Sequence, residues 1–116
     1  MPGRLLLACA LLAASTGALL AHAIVLSSTP RKNATVRGAE TPIEIRFSSL
    51  IDAKRSRLTL NGPDGSSRIL AIEEAAADTL KSHASGLVPG AYTLHWQTLA
   101  RDGHITQGAI PFSASR

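Results

Sequence analysis

Two histidines and one aspartate, at opposite ends of the chain, are the residues best suited to binding a metal ion. His22 follows an apolar stretch typical of an export signal, and cleavage after Ala21 would give it a free α-amine beside its imidazole. Far downstream, Asp102 and His104 stand two residues apart, so on an extended segment both side chains point the same way. Two imidazoles, one amine and one carboxylate form a mixed nitrogen and oxygen donor set that suits tetragonal Cu(II).

The first 21 residues have the composition of a secretory signal peptide. Arg4 supplies a short positive segment, residues 5–12 are wholly apolar, and small residues precede the expected cleavage point. We therefore predict a signal peptide over residues 1–21 and a single domain over residues 22–116, which is exported to the periplasm and is soluble once the signal is removed.

The cleavage point decides whether His22 can act as a chelating residue, and the sequence leaves two positions open. A cut after Ala21 makes His22 the first residue and frees its α-amine. A cut after Ala23 fits the A-x-A rule better and discards the histidine together with the signal. A metal site that uses the amine therefore depends on the first of these two cuts.

Sulfur ligands are confined to the predicted signal peptide. The one cysteine and one methionine of the chain are Cys9 and Met1, so the predicted domain over residues 22–116 has neither a disulfide nor a soft ligand. Thiolate and thioether ligands select Cu(I), whereas imidazole and harder donors suit Cu(II). Any copper site in the domain must therefore be built from nitrogen and oxygen.

Basic residues outnumber acidic residues and give a formal net charge of +4, but they are scattered along the chain. The densest group is Lys54, Arg55 and Arg57, which we interpret as a solvated face. Because the chain is predicted to be exported, we expect no nucleic-acid partner.

Short strand-like runs alternate with turn signals at intervals of about ten residues, which is typical of an all-β sandwich or barrel. In the clearest run, Tyr92, Leu94 and Trp96 share the face expected to be buried. Pro111 marks the last run as an edge strand or a bulge. Residues 71–81 have local helix propensity, but in a β chain we expect them to be mostly strand or loop. The predicted strands are 22–27, 43–47, a hairpin of 57–60 and 68–72, 91–99 and 105–114.

The two remaining histidines are weaker candidates for metal binding. His95 lies on the strand face opposite Tyr92 and Trp96, where it faces solvent or a partner and could act as a secondary ligand. His83 stands in a stretch containing serine and glycine, which we interpret as a surface loop.

Two motifs at opposite ends of the predicted domain resemble those of the CopC family of periplasmic copper-binding proteins. Residues 22–30, HAIVLSSTP, resemble the family's N-terminal run, and residues 90–104, GAYTLHWQTLARDGH, resemble its second signature. The resemblance implies an immunoglobulin-like Greek-key β-sandwich or barrel that binds Cu(II). His22 would bind through its amine and imidazole, Asp102 through its carboxylate and His104 through its imidazole. Some members of the family have a methionine-rich Cu(I) site, which is not expected here because the one methionine of this chain is Met1.

Three functions follow from these observations. The first is a periplasmic Cu(II) carrier or buffer, acting in copper resistance or in delivery to an inner-membrane copper transporter of the CopD-like kind. The second is a metal-free immunoglobulin-like interaction module, which the later cleavage site would favour. The third is a copper oxidative enzyme that uses an N-terminal histidine, against which the extra carboxylate of Asp102 argues.

Overall fold

The computed structural model describes residues 23–116, which form eight β-strands and contain no helix. The predicted signal peptide and His22 lie outside the described residues. No helix that could cross a membrane occurs between residues 23 and 116. The strands are β1 Val25–Thr29, β2 Thr35–Arg37, β3 Thr41–Phe47, β4 Ile51–Asn61, β5 Ser67–Leu70, β6 Thr79–Ala84, β7 Gly90–Ala100 and β8 Ile105–Ser115.

The strands form two sheets, which confirms the all-β sandwich predicted from the strand pattern and the immunoglobulin-like arrangement that the family resemblance implies. The small sheet has the order β1-β3-β6, and the large sheet has the order β2-β8-β7-β4-β5. All strand pairs are antiparallel except β2 and β8, which run parallel. The first strand, β1, lies in the small sheet and the last, β8, lies in the large sheet, so the two ends of the described chain contribute to different layers.

The core lies between the two sheets and is built by strict alternation along β3 and β7. Ile45 and Phe47 of β3 are at most 1% exposed, while Arg46 between them faces solvent. Leu94 and Trp96 of β7 are buried from the other side, as the sequence predicts. The rings of Phe47 and Trp96 meet edge to face with centroids 5.1 Å apart, so an aromatic pair joins the two sheets.

Two local predictions need correction. The first strand is β1, which begins at Val25 and continues to Thr29, because Thr29 pairs with Glu44 of β3. Residues 71–78 are a loop, which agrees with the expectation of strand or loop there, but the strand that follows them, β6, includes His83. His83 is therefore an exposed strand residue and not a loop residue.

Pro111 lies on an edge of the large sheet, as its lack of an N–H group predicts. Strand β2 pairs with β8 only over residues 113–115, so at Pro111 β8 has β7 as its one strand neighbour among the described residues. The Pro111 carbonyl oxygen accepts a hydrogen bond from the Asn33 N–H at 2.6 Å. Since the nitrogen and oxygen of one strand residue point to the same side, the missing N–H faces away from β7 and costs no ladder bond.

Candidate metal centre

The turn between β7 and β8 carries Asp102 and His104. The Ala100 N–H donates to the His104 carbonyl oxygen at 2.8 Å, and the Gly103 N–H donates to the Ala100 carbonyl oxygen at 2.9 Å. Gly103 has φ +93°, a conformation that glycine adopts without the steric cost other residues incur. These constraints hold the two candidate ligands on a short, closed turn, which we call the metal turn (residues 101–104).

Asp102 and His104 are brought into direct contact by this turn. Asp102 Oδ1 accepts a hydrogen bond from the His104 backbone N–H at 3.0 Å, and Asp102 Oδ2 lies 3.0 Å from His104 Nδ1. Their side chains are 41% and 56% exposed, so both are accessible from solvent. A neutral imidazole whose Nδ1–H donates to a carboxylate can coordinate a metal only through Nε2. A carboxylate in this position is a common way of orienting a metal-binding histidine.

The connection between β3 and β4, residues 48–50, joins the metal turn to the start of the described chain. The Ile24 N–H donates to Ser48 Oγ at 3.0 Å, and the Ser48 N–H donates to the Ile24 carbonyl oxygen at 2.8 Å. At the other end of this connection, the Leu50 carbonyl oxygen accepts a hydrogen bond from the Arg101 N–H at 3.2 Å. Ala23, which follows His22 in sequence, is 2% exposed and belongs to the core. The described N-terminal end and the metal turn therefore share one end of the sandwich.

The third predicted ligand, His22, lies outside the described residues, so its place in the centre stays a prediction. Between residues 23 and 116, no group of three or more histidine, cysteine, aspartate or glutamate side chains could hold a metal ion. The described part of the centre thus consists of the Asp102–His104 pair.

His95 and His83 lie away from this pair. His95 is exposed on the outer face of the large sheet, where it lines a surface depression of about 400 Å³ with Arg57 and Gln97. At about 3.3 Å per residue, the length of β7 between His95 and Ala100 is roughly 16 Å. His83 lies in the small sheet, with Nδ1 2.6 Å from Glu73 Oε1. The structure therefore brings neither of them to the metal turn.

The proximity of Lys54 and Arg55 to the metal turn was not expected from the sequence. Lys54 and Arg55, which we interpreted only as a solvated face, line a depression together with Arg101. The run of basic residues is visible in the sequence, but its proximity to the turn depends on how β4 pairs with β7. No pattern in the sequence specifies that register.

Comparison with known proteins identifies relatives of this chain. The CopC domain family model matches residues 25–115. The protein YobA from Escherichia coli K12 is 31% identical over 102 residues, which cover 84% of this chain and 82% of YobA.

Solved structures with a similar fold include a CopC and a PcoC protein. CopC from Methylosinus trichosporium OB3b has a TM-score of 0.72 at 20% identity, covering 81% of this chain and 94% of that one. PcoC, a methionine-rich copper resistance protein from Escherichia coli, has a TM-score of 0.66 at 25% identity, covering 82% of this chain and 100% of that one.

Proposed function

The chain belongs to the CopC family, and from this premise we propose that it binds Cu(II) in the periplasm and carries or buffers the ion. Its role would be in copper resistance or in delivery to a membrane transporter. The observation that carries the proposal is the contact between Asp102 and His104, on a turn at the same end of the sandwich as Ala23.

The proposed ligand set combines this pair with the residue that precedes Ala23. Ala23, the neighbour of His22 in sequence, is held in the core at the same end of the sandwich as the metal turn. With cleavage after Ala21, its amine and imidazole would join the His104 imidazole and the Asp102 carboxylate. A nitrogen-rich set of this kind favours Cu(II) over the other common divalent ions.

The proposal specifies the oxidation state of the copper. The similar structure PcoC is methionine-rich, whereas the one methionine of this chain is Met1 and its one cysteine is Cys9. Both belong to the predicted signal peptide, so the exported domain would have no thiolate or thioether for Cu(I). We expect Cu(I) to bind weakly, and tight Cu(I) binding would contradict this proposed ligand set.

Intact mass spectrometry first establishes the first residue of the secreted protein. The test is then a calorimetric titration of that protein with Cu(II). We expect one copper per chain for a protein that begins at His22. Replacing His104→Ala, or retaining Ala21 ahead of His22, should each weaken binding strongly, because each removes a nitrogen donor. His83→Ala is the matched control, since it deletes an exposed imidazole on the other sheet.

Three outcomes would overturn the proposal. If His104→Ala binds Cu(II) as tightly as the unaltered protein, the metal turn is not the copper site. A secreted protein that begins at Ile24 would lack the amine chelate and would favour the interaction module. Robust oxidation of a polysaccharide with ascorbate and oxygen would favour the enzyme.

A further inference from the structure

Strand β4 contains a large bulge close to the metal turn. Its ladder with β7 is broken between the pair Asp52–Leu99 and the pair Arg57–Gln97, so that residues 53–56 lie opposite Thr98 alone. Bulges next to functional sites are a common means of re-aiming side chains. Here the extra residues include Lys54 and Arg55, both of which are exposed.

Hydrogen bonds hold the bulge in a defined shape. Ser56 Oγ donates to the Asp52 carbonyl oxygen at 2.7 Å and lies 2.8 Å from Thr98 Oγ1. Asp52 Oδ1 accepts from the Lys54 backbone N–H at 3.1 Å. Because Thr98 is fully buried, the bulge is anchored to the core and presents its basic residues from a fixed platform.

The bulge and the metal turn form the two walls of one depression of about 590 Å³, which we call the basic depression. Lys54 and Arg55 line it from the bulge, and Arg101 lines it from the turn. The acidic residue in its lining is Asp52, whose Oδ2 lies 3.7 Å from Arg55 Nε. The basic depression therefore carries net positive charge directly beside the candidate ligands.

A positive rim next to a cation site calls for an explanation, because it disfavours the ion that the site is proposed to hold. Carboxylates brought by a partner would offset the rim and pair with the two guanidinium groups in the geometry that arginine favours. The shape discriminates between partners, since an extended peptide segment can enter a concave depression whereas a flat lipid surface cannot. Opposite charges would also steer the partner toward the metal turn.

We propose that the basic depression is the docking site for a carboxylate-rich segment of the protein that exchanges copper with this chain. The identification of that partner as a copper protein rests on the proposed function. The docking surface itself rests on the bulge, the depression and its charge. Arg101 is the residue shared by the basic depression and the metal turn.

The experiment is an NMR titration of the metal-free secreted protein with hexaglutamate at low salt. We expect amide shifts concentrated at residues 52–56 and 99–104. The variant Lys54→Gln/Arg55→Gln/Arg101→Gln should lose about ten-fold in affinity, because it removes the charges that line the depression. The matched control Arg31→Gln/Lys32→Gln/Arg37→Gln removes the same charge from the β1–β2 region, on the opposite edge of the large sheet, and should retain its affinity.

Two results would overturn the proposal. An equal loss of affinity in both triple variants would mean that hexaglutamate binding depends only on the net charge of the protein. Failure to bind hexaglutamate, combined with sedimentation on phosphatidylglycerol vesicles that the first triple variant abolishes, would assign the surface to membrane. A Cu(II) titration separates this proposal from the previous one: hexaglutamate binding by a protein that fails to bind Cu(II) would support the docking surface and overturn the proposed function.

Discussion

At the scale of the residue, the Asp102 carboxylate uses both of its oxygens within the metal turn. One oxygen accepts the His104 backbone N–H, and the other faces His104 Nδ1. The first contact shapes the turn, whereas the second selects the tautomer of the imidazole. A D-x-H motif could be recognised in the sequence because both side chains were expected to face one point. The sequence could not show which imidazole nitrogen the carboxylate contacts, since that depends on the φ of Gly103 and the closure of the turn.

These two contacts can be separated by Asp102→Asn. The amide oxygen of asparagine can still accept the backbone N–H, so the turn should persist. Its NH₂ group would donate to His104 Nδ1 and favour the tautomer that carries a proton on Nε2, the nitrogen proposed to bind copper. We expect Cu(II) affinity to fall by about 10–100-fold, while the thermal midpoint changes little.

Calorimetric Cu(II) titration and thermal unfolding of the same preparations would test this prediction. Asp52→Asn is the control, because it changes a nearby carboxylate outside the metal turn. Unchanged copper affinity in Asp102→Asn would show that the carboxylate neither binds the ion nor orients its ligand.

At the scale of the element, the strands that alternate strictly could be predicted and the irregular ones could not. The period of two in β3 and β7 reflects a single buried face, so the sequence carries it directly. The bulge in β4 has no such signature, because its residues do not alternate and its shape depends on the contact between Ser56 and Thr98. Loop 71–78 was ambiguous for a similar reason, since its alanines suit a helix and only tertiary contacts exclude one.

Thr98 and Thr106 face each other across the β7–β8 ladder, and the same substitution should have opposite effects at the two positions. Thr98 Oγ1 bonds with Ser56 of the bulge, so Thr98→Val should lower the free energy of unfolding by about 1 kcal/mol. Thr106 Oγ1 is buried and has no hydrogen-bond partner among residues 23–116, so Thr106→Val should raise that free energy by about 1 kcal/mol.

Urea unfolding of both valine variants and of Ser56→Ala would check these values. In a double-mutant cycle, Thr98→Val and Ser56→Ala should be less than additive, because either substitution alone breaks the shared bond. Destabilisation by Thr106→Val would mean that its hydroxyl has a partner in solution.

At the scale of the whole molecule, two sheets must be held together without a disulfide in the predicted domain. The sequence indicated two layers through its strand spacing, and the resemblance to a known family supplied the immunoglobulin-like arrangement. Neither indicated which side chains meet across the interface. The contact between Phe47 and Trp96 depends on how β3 and β7 are placed opposite each other across the core, which only the assembled sandwich determines.

Phe47→Ala should therefore weaken the sandwich as a whole. Phe47 is 1% exposed, and replacing a buried phenylalanine by alanine costs about 3–5 kcal/mol, a large share of the roughly 5–15 kcal/mol available to a small domain. Ile69→Ala, which trims a side chain 68% exposed, is the control and should change stability by less than about 0.5 kcal/mol. In urea, Trp96 fluorescence reports on the contact between the two sheets, whereas far-UV circular dichroism reports on the strands of both. We expect their midpoints to fall together in Phe47→Ala, because neither sheet buries its inner face alone; separated midpoints would show that the sheets come apart before their strands unfold.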